Sequence, residues 1–330
     1  MPIVTTEHFK SGNLPLSKNG IPQVSEDDYC RLKGYMLETD DIVFSRVGSV
    51  DINAHVEHVQ QGWLFSGRVL RVRPIKSVNS LCLHYVLSTE SVKRDIRNRA
   101  VGQTMPSINT PILSNTGIYM SQSEAEQKKI ANLLSLIDER ISTQNKIIDK
   151  LQSLIKGIRN KLFENDKDWR KAKIREFLCI GNGKDYKHLD IGDIPVYGTG
   201  GKMLSVNDFL YDGDSVCIGR KGTIDTPLFL TGKFWTVDTL FYTYGFKDVL
   251  PKFCYYLFKQ INWQLYNEGT GVPSLSKSTI ENIKVRIPSI VQQYKICYIL
   301  DSYEDKIKNE GLILDLYCSQ KQYLLRQMFV

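Results

Sequence analysis

The chain has 330 residues, 42% hydrophobic and 10% aromatic, which suffices for two ordinary domains with their own cores and argues against wholesale disorder. No apolar run approaches the ~20 residues of a membrane helix, and the opening "MPIVTTEHFKSGN" lacks the basic-then-apolar pattern of a secretory signal. The net charge of +7 falls mainly in two stretches, with 13 Lys and Arg against 11 Asp and Glu over residues 1–121 and 16 against 12 over 169–288, a modest excess compatible with a phosphate-backbone partner.

The first block, residues 1–121, contains "DDIVFSRVGSV" (Asp40 to Val50), which predicts a buried strand entering a glycine turn with Arg46 at its rim. It closes on "GQTMPSINTPILSNTGIYM" (Gly102 to Met120). Residues 122–168 follow as a predicted long helix. Its apolar residues Ile130, Leu134, Ile137, Ile141, Ile148, Leu151, Ile155, Ile158 and Leu162 form a heptad seam, with Gln144 at the skipped place. Ser121 and Ser123 offer N-cap hydroxyls, and about 40 residues at ~1.5 Å each make a rod of roughly 60 Å.

The second block, residues 169–288, repeats the first. "GDSVCIGRKGTI" (Gly213 to Ile224) places Arg220 on Arg46 and Gly222 on Gly48. "IPVYGTGGK" (Ile194 to Lys202) resembles "MPIVTTEHF", and "GTGVPSLSKSTIENIKVRIP" (Gly269 to Pro288) repeats the Gly–x–small–apolar–Pro–Ser pattern. No counterpart of Trp169–Asp193 precedes Met1, so the first block is expected to lack its opening segment, either because the true start lies upstream or because the block is shortened. Residues 289–330 repeat the helix at a constant shift of 166. The seam lands on Ile296, Leu300, Tyr303, Ile307, Leu314, Tyr317, Lys321, Leu324 and Met328, and the skipped place on Glu310. Two similar blocks on two long helices favour an antiparallel coiled coil, in which Gln144 and Glu310 are expected to fix register as a buried polar pair.

Motifs for chemistry largely fail. "YGTGGKMLS" has Val196 where a phosphate loop needs glycine and Met203 where it needs Ser or Thr, and "GNGKDYKH" fails the same test. His55 and His58 lack further ligands for a metal. No nucleophile–His–acid set stands out among five histidines. "EDK" (Glu304 to Lys306) lies within the heptad helix and reads as a solvated face. Seven cysteines without a C-x-x-C pair argue against a disulfide framework and for a reducing cytoplasm. No catalytic, metal or cofactor site is predicted.

What remains is basic and polar residues around glycine turns. In the first block these are Lys18, Arg46, Ser49, Gln103, Thr104 and Ser107; in the second, Lys184, Tyr186, Lys187, Tyr197, Gly198, Lys202, Arg220, Lys221, Thr223, Thr270 and Ser274. Arg and Lys can reach guanine edges or phosphates, and Gln can read adenine. Any one alone is most simply a solvated surface residue; the matched pair Arg46/Arg220 stands above the rest.

The stretches "PSINTPILSNTGIYMSQSEAEQKKIANLLSLIDERI" and "PSLSKSTIENIKVRIPSIVQQYKICYILDSYEDKI" resemble the specificity subunit of type I restriction–modification systems, as do "DDIVFSRVG" and "GDSVCIGRKGTI". The order of these motifs, twice over, covers nearly the whole chain. The resemblance implies a mixed α/β fold with two target recognition domains, each reading one half of a split double-stranded DNA site, and two long helices that set the half-site spacing. It implies no catalysis by this chain: methylation would belong to two modification subunits and cleavage to restriction subunits. Two other classes stay open at this point, a coiled-coil scaffold that never touches DNA and an enzyme with an unrecognised site.

Overall fold

The computed structural model describes residues 1–164 and 168–329; the join at 165–167 lies outside the described residues. The chain divides into two compact units. Unit 1 comprises Met1–Lys146 with Leu312–Val330, and unit 2 comprises Ile147–Gly311.

In unit 1 a three-stranded antiparallel sheet runs Asn53–His55, Ile42–Ser45, Val69–Val72. The central strand Ile42–Ser45 is buried throughout, as its unbroken Ile-Val-Phe run requires. Strand alternation sends Ile42 and Phe44 to a cluster with Leu83, Val86 and Leu87 of the helix Ser80–Leu87. Val43 goes to the opposite cluster, with Ala54 and Trp63. A two-residue strand, Ile3–Val4, pairs in parallel with Leu64–Phe65.

Unit 2 builds the same plan larger. One four-stranded sheet runs Leu228–Leu230, Ser215–Gly219, Leu240–Tyr244, Cys179–Asn182. Its buried strand sends Val216 and Ile218 against Phe253, Leu257 and other residues of the helix Pro251–Gln260, and Cys217 to the other face with Leu230 and Phe234. Position by position these match Ile42, Phe44 and Val43. The second sheet runs Tyr211–Asp212, Lys233–Thr236, Ile191–Gly198, Gly201–Val206. Here Val196 and Tyr197 pair in parallel with Trp235 and Thr236, the counterpart of Ile3 and Val4 on Leu64 and Phe65. The resemblance between "IPVY" and "MPIV" is therefore one of pairing as well as of letters. An antiparallel ribbon, Arg170–Lys173 with Lys284–Ile287, completes the unit.

The two long helices, Glu124–Glu164 and Ile290–Met328, each contribute to both units. In unit 1 Leu134 clusters with Leu325, Asp138 meets Lys321 and Arg140 lies over Tyr317. Partner numbers fall as helix numbers rise, so the segments are antiparallel. In unit 2 Ile155, Ile158 and Leu162 pack on the core cluster that holds Ile296 and Leu300. Every seam residue named from the heptad pattern is buried or half-buried, whereas the off-seam Leu133, Leu136 and Leu154 are exposed. The skipped places follow the seam: Gln144 is buried and Glu310 half-buried.

One sequence expectation is corrected within this helix. Glu304 is not on a solvated face. Its carboxylate accepts from Lys259 Nζ at 2.7 Å and from the Tyr255 hydroxyl, tying the helix to its own globular block. Asp305 and Lys306 are exposed as expected.

Candidate nucleic-acid interface

The two repeated motifs of each block are hydrogen-bonded to each other. In unit 1 the turn after the buried strand carries Arg46, Val47 and Gly48, with Gly48 at φ +83°. Gly48 N donates to Pro106 O at 2.8 Å, and Ile108 N donates to Arg46 O at 2.9 Å. In unit 2 Gly222, φ +95°, donates to Pro273 O at 2.8 Å, and Leu275 N donates to Arg220 O at 2.9 Å. Val47 bridges Ser107 in the first unit, and Lys221 bridges Ser274 in the second. The glycines permit the left-handed turn that brings the two loops together.

A third loop enters each junction. Arg46 N donates to Arg68 O at 3.0 Å while its guanidinium Nη1 donates to Gly67 O at 3.2 Å. Arg220 N donates to Thr239 O at 2.8 Å while its Nη1 donates to Asp238 O at 3.4 Å. Both arginines are exposed, so each guanidinium is steadied on one side by a backbone carbonyl and open to solvent on the other. A planar fork held this way can meet a phosphate or a guanine edge with little further ordering.

The junction gathers many of the residues named from the sequence. In unit 1 Arg46 and Ser49 share the turn, and Gln103, Thr104 and Ser107 share the facing loop. Lys18 is exposed in the segment between Leu14 and Ile21, which packs on the opposite cluster, and no contact joins it to Arg46. In unit 2 Arg220 and Lys221 share the turn that Thr223 follows, and Thr270 and Ser274 share the facing loop, with Lys221 bridging Ser274. The hairpin from Tyr197 to Lys202 joins them: a Cβ on Gly222 would lie 3.7 Å from Thr199 Oγ1. Lys202 is exposed at the hairpin. Lys184 N donates to Thr236 O, and Lys184 O accepts from Trp235 Nε1 at 2.8 Å, fixing that lysine beside the strand that pairs with Tyr197. Tyr186 and Tyr197 are half-buried in apolar clusters, so their rings serve packing. Gly198 is buried, and Lys187 is exposed without a contact that draws it into the junction.

"GNGK" has a structural explanation. A Cβ on Gly183 would lie 1.9 Å from Val237 O, so this glycine permits backbone packing. His55 is half-buried beside Asp40 and His58 is exposed. Among the described residues no group of three metal-capable side chains forms, and no helix is long and apolar enough to cross a membrane.

Sequence reasoning missed the third loop, Gly67–Arg68 and Asp238–Thr239, because carbonyl acceptors leave no mark in side-chain identity. Gln127 and Gln293 stand at the same place of the repeat, 166 residues apart, and the letters alone give no role for them. Gln127 Oε1 accepts from Asn79 N at 2.7 Å, and Gln293 Oε1 accepts from Leu250 N at 2.8 Å. Asn79 and Leu250 are the N-cap residues of the helices Ser80–Leu87 and Pro251–Gln260. Each glutamine, 2% and 0% exposed, thus locks a long helix to the core helix of its block.

The family model for the type I restriction modification DNA specificity domain matches residues 1–153 and, a second time, residues 166–315. The chain belongs to this family. As a type I specificity subunit it is the non-catalytic member of its system. It is 24% identical over 307 residues to the type I restriction enzyme MjaVIII specificity subunit of Methanocaldococcus jannaschii, covering 76% of this chain and 69% of that one. The crystal structure of the type I restriction-modification system S subunit from M. genitalium superposes with a TM-score of 0.65 at 18% identity, over 99% of this chain and 91% of that chain. A chain from a structure on complex assembly and conformational transition of the type I R-M system superposes with a TM-score of 0.60 at 12% identity, over 89% of this chain and 82% of that chain. These two likenesses concern the fold: two specificity domains and two long helices.

Proposed function

We propose that each unit reads one half of a bipartite double-stranded DNA site. The single observation that carries this reading is the three-loop junction, built twice with matching hydrogen bonds and offering an exposed, steadied arginine each time. Arg46, Ser49, Gln103, Thr104 and Ser107 face one half-site. Lys184, Lys202, Arg220, Lys221, Thr223, Thr270 and Ser274 face the other. Phosphate contacts position each unit, and Arg or Gln reads base edges.

The long helices set the distance between half-sites and dock two modification subunits, with restriction subunits joining the complex. Exposed apolar side chains off the seam, among them Leu133, Leu136, Leu312, Leu316 and Tyr323 in unit 1, offer surface of the kind that partners cover. Gln144 and Glu310 hold the helix register; replacing both by Leu should raise the melting temperature, and an unchanged or lower value would remove that role. The complex acts in the cytoplasm, where its DNA is.

The test is a genome-wide map of methylated bases in cells expressing the chain with its modification subunit, against cells lacking the chain. A split motif that depends on the chain is expected. Its absence, together with no DNA binding by the purified complex, would overturn the reading.

A further inference from the structure

The repeated loop also carries an apolar side chain that nothing covers. Met105 is 66% exposed and Val272 53% exposed. They occupy the same place, three residues after Gly102 and Gly269 and directly before Pro106 and Pro273. Lone exposed apolar residues are ordinary on a protein surface. These two differ in being placed by matched backbone frames.

The base of each loop is closed by a backbone pair. Val101 and Ser107 exchange bonds of 2.9 Å in unit 1, and Glu268 N donates to Ser274 O at 2.9 Å in unit 2. Within the loop the chain curls over its glycine. A Cβ on Gly102, φ +103°, would lie 2.8 Å from Met105 O, and one on Gly269 would lie 2.1 Å from Val272 O. With the carbonyl of residue 105 or 272 turned in over the glycine and the next residue a proline, the side chain is left facing solvent. The proline carbonyl receives the Gly48 or Gly222 N–H from the arginine turn. The apolar group is thereby held at a fixed place relative to Arg46 or Arg220.

Resting on the DNA-reading function proposed above, we infer that Met105 and Val272 are specificity-determining residues that contact a thymine 5-methyl group, one in each half-site. That methyl is the alkyl group which a base edge presents in the major groove, and apolar side-chain groups are its usual partners. Gln103, Thr104 and Thr270 beside it supply the polar contacts, so the loop reads a mixed edge. A methyl withdrawn from water against Val272 is worth about a four-fold change in affinity.

The experiment uses the chain with its modification subunits and a synthetic duplex of the methylated motif. Each thymine is replaced in turn by deoxyuridine, which removes the methyl alone. Binding to the unmodified duplex tests the DNA-reading function by itself, and its failure would remove the footing of the inference. Given binding, one thymine in each half-site is expected to show a loss of about four-fold on replacement. V272A should abolish that sensitivity in one half-site and M105A in the other. V272T, which keeps a methyl able to meet the thymine methyl, should retain sensitivity that V272A loses, and this separates loss of the contact from a folding artefact. Uracil tolerated at every thymine, a half-site that contains none, or a penalty that persists in the alanine variants would overturn the inference while leaving DNA reading intact.

Discussion

At the residue scale, the arginines show how far one sequence carries. Arg46 and Arg220 were legible because the motif recurs, yet the carbonyls that steady them come from loops 21 and 18 residues away. Substituting Arg220 by Ala should weaken or relax one half of the methylated motif and leave the other; unchanged preference at both halves would sink its role. Gly269 makes a sharper structural prediction. The Cβ of G269A would meet backbone 2.1 Å away, so the loop must shift, at a cost of about 1–3 kcal/mol. Thermal unfolding of G269A beside G271A, where a Cβ meets nothing within 4 Å, measures that difference. His84 was not singled out at all, because a buried histidine looks like any other in a sequence. Its Nδ1 lies 2.6 Å from Asn53 Oδ1, and burial, aided by the charges of His55, Lys321 and Lys93, pushes it down to about 3. The unfolded chain takes up the proton first, near pH 6.5. Stability from this group is therefore full above that pH and is lost as pH falls toward 3, by about 2 kcal/mol at pH 5. Melting temperatures of wild type and H84N between pH 5 and 7.5 should show a smaller acid loss in the variant.

At the element scale, the long helices were the most readable part. A 3.5-residue seam is visible in the letters, and the structure buries or half-buries every position in it. What the letters could not show is how each helix grips its block. Gln127 and Gln293 act on N-caps 48 and 43 residues away. Tyr85 and Tyr256 then donate their hydroxyls to Asp138 and Asp301 at 2.8 and 2.6 Å. Such contacts depend on tertiary placement, which no local pattern encodes. Gln293→Leu leaves the Leu250 N–H and the Asp248 and Pro288 carbonyls without their partner, the Pro288 bond being fully buried, so a loss of about 1–3 kcal/mol is expected. Faster amide exchange in Pro251–Gln260, with Ser80–Leu87 unaffected, would place the damage. Gln127→Leu should do the reverse. The misreading of Glu304 has the same origin: a charge on a helix looks solvated until Lys259 arrives from another element.

At the scale of the whole molecule, the order of motifs carried the family, and the family match over residues 1–153 and 166–315 rests on the same repetition. The ruler role of the helices has a direct test. Removing one heptad from each of Glu124–Glu164 and Ile290–Met328 should shorten the unspecified gap in the methylated motif, and an unaltered gap would refute the role. The division into units has a further consequence, for biosynthesis. Unit 1 needs Leu312–Val330, whose Leu324, Leu325 and Phe329 close the cluster around Tyr85 and Leu134. Unit 2 ends at Gly311. During translation unit 2 therefore has all of its residues once Gly311 is made, whereas unit 1, although begun earlier, still waits for the segment that starts at Leu312. A nascent chain halted after Gly311 should protect Pro251–Gln260 from proteases and leave Ser80–Leu87 open. Of the two units, the one begun first is the later to close.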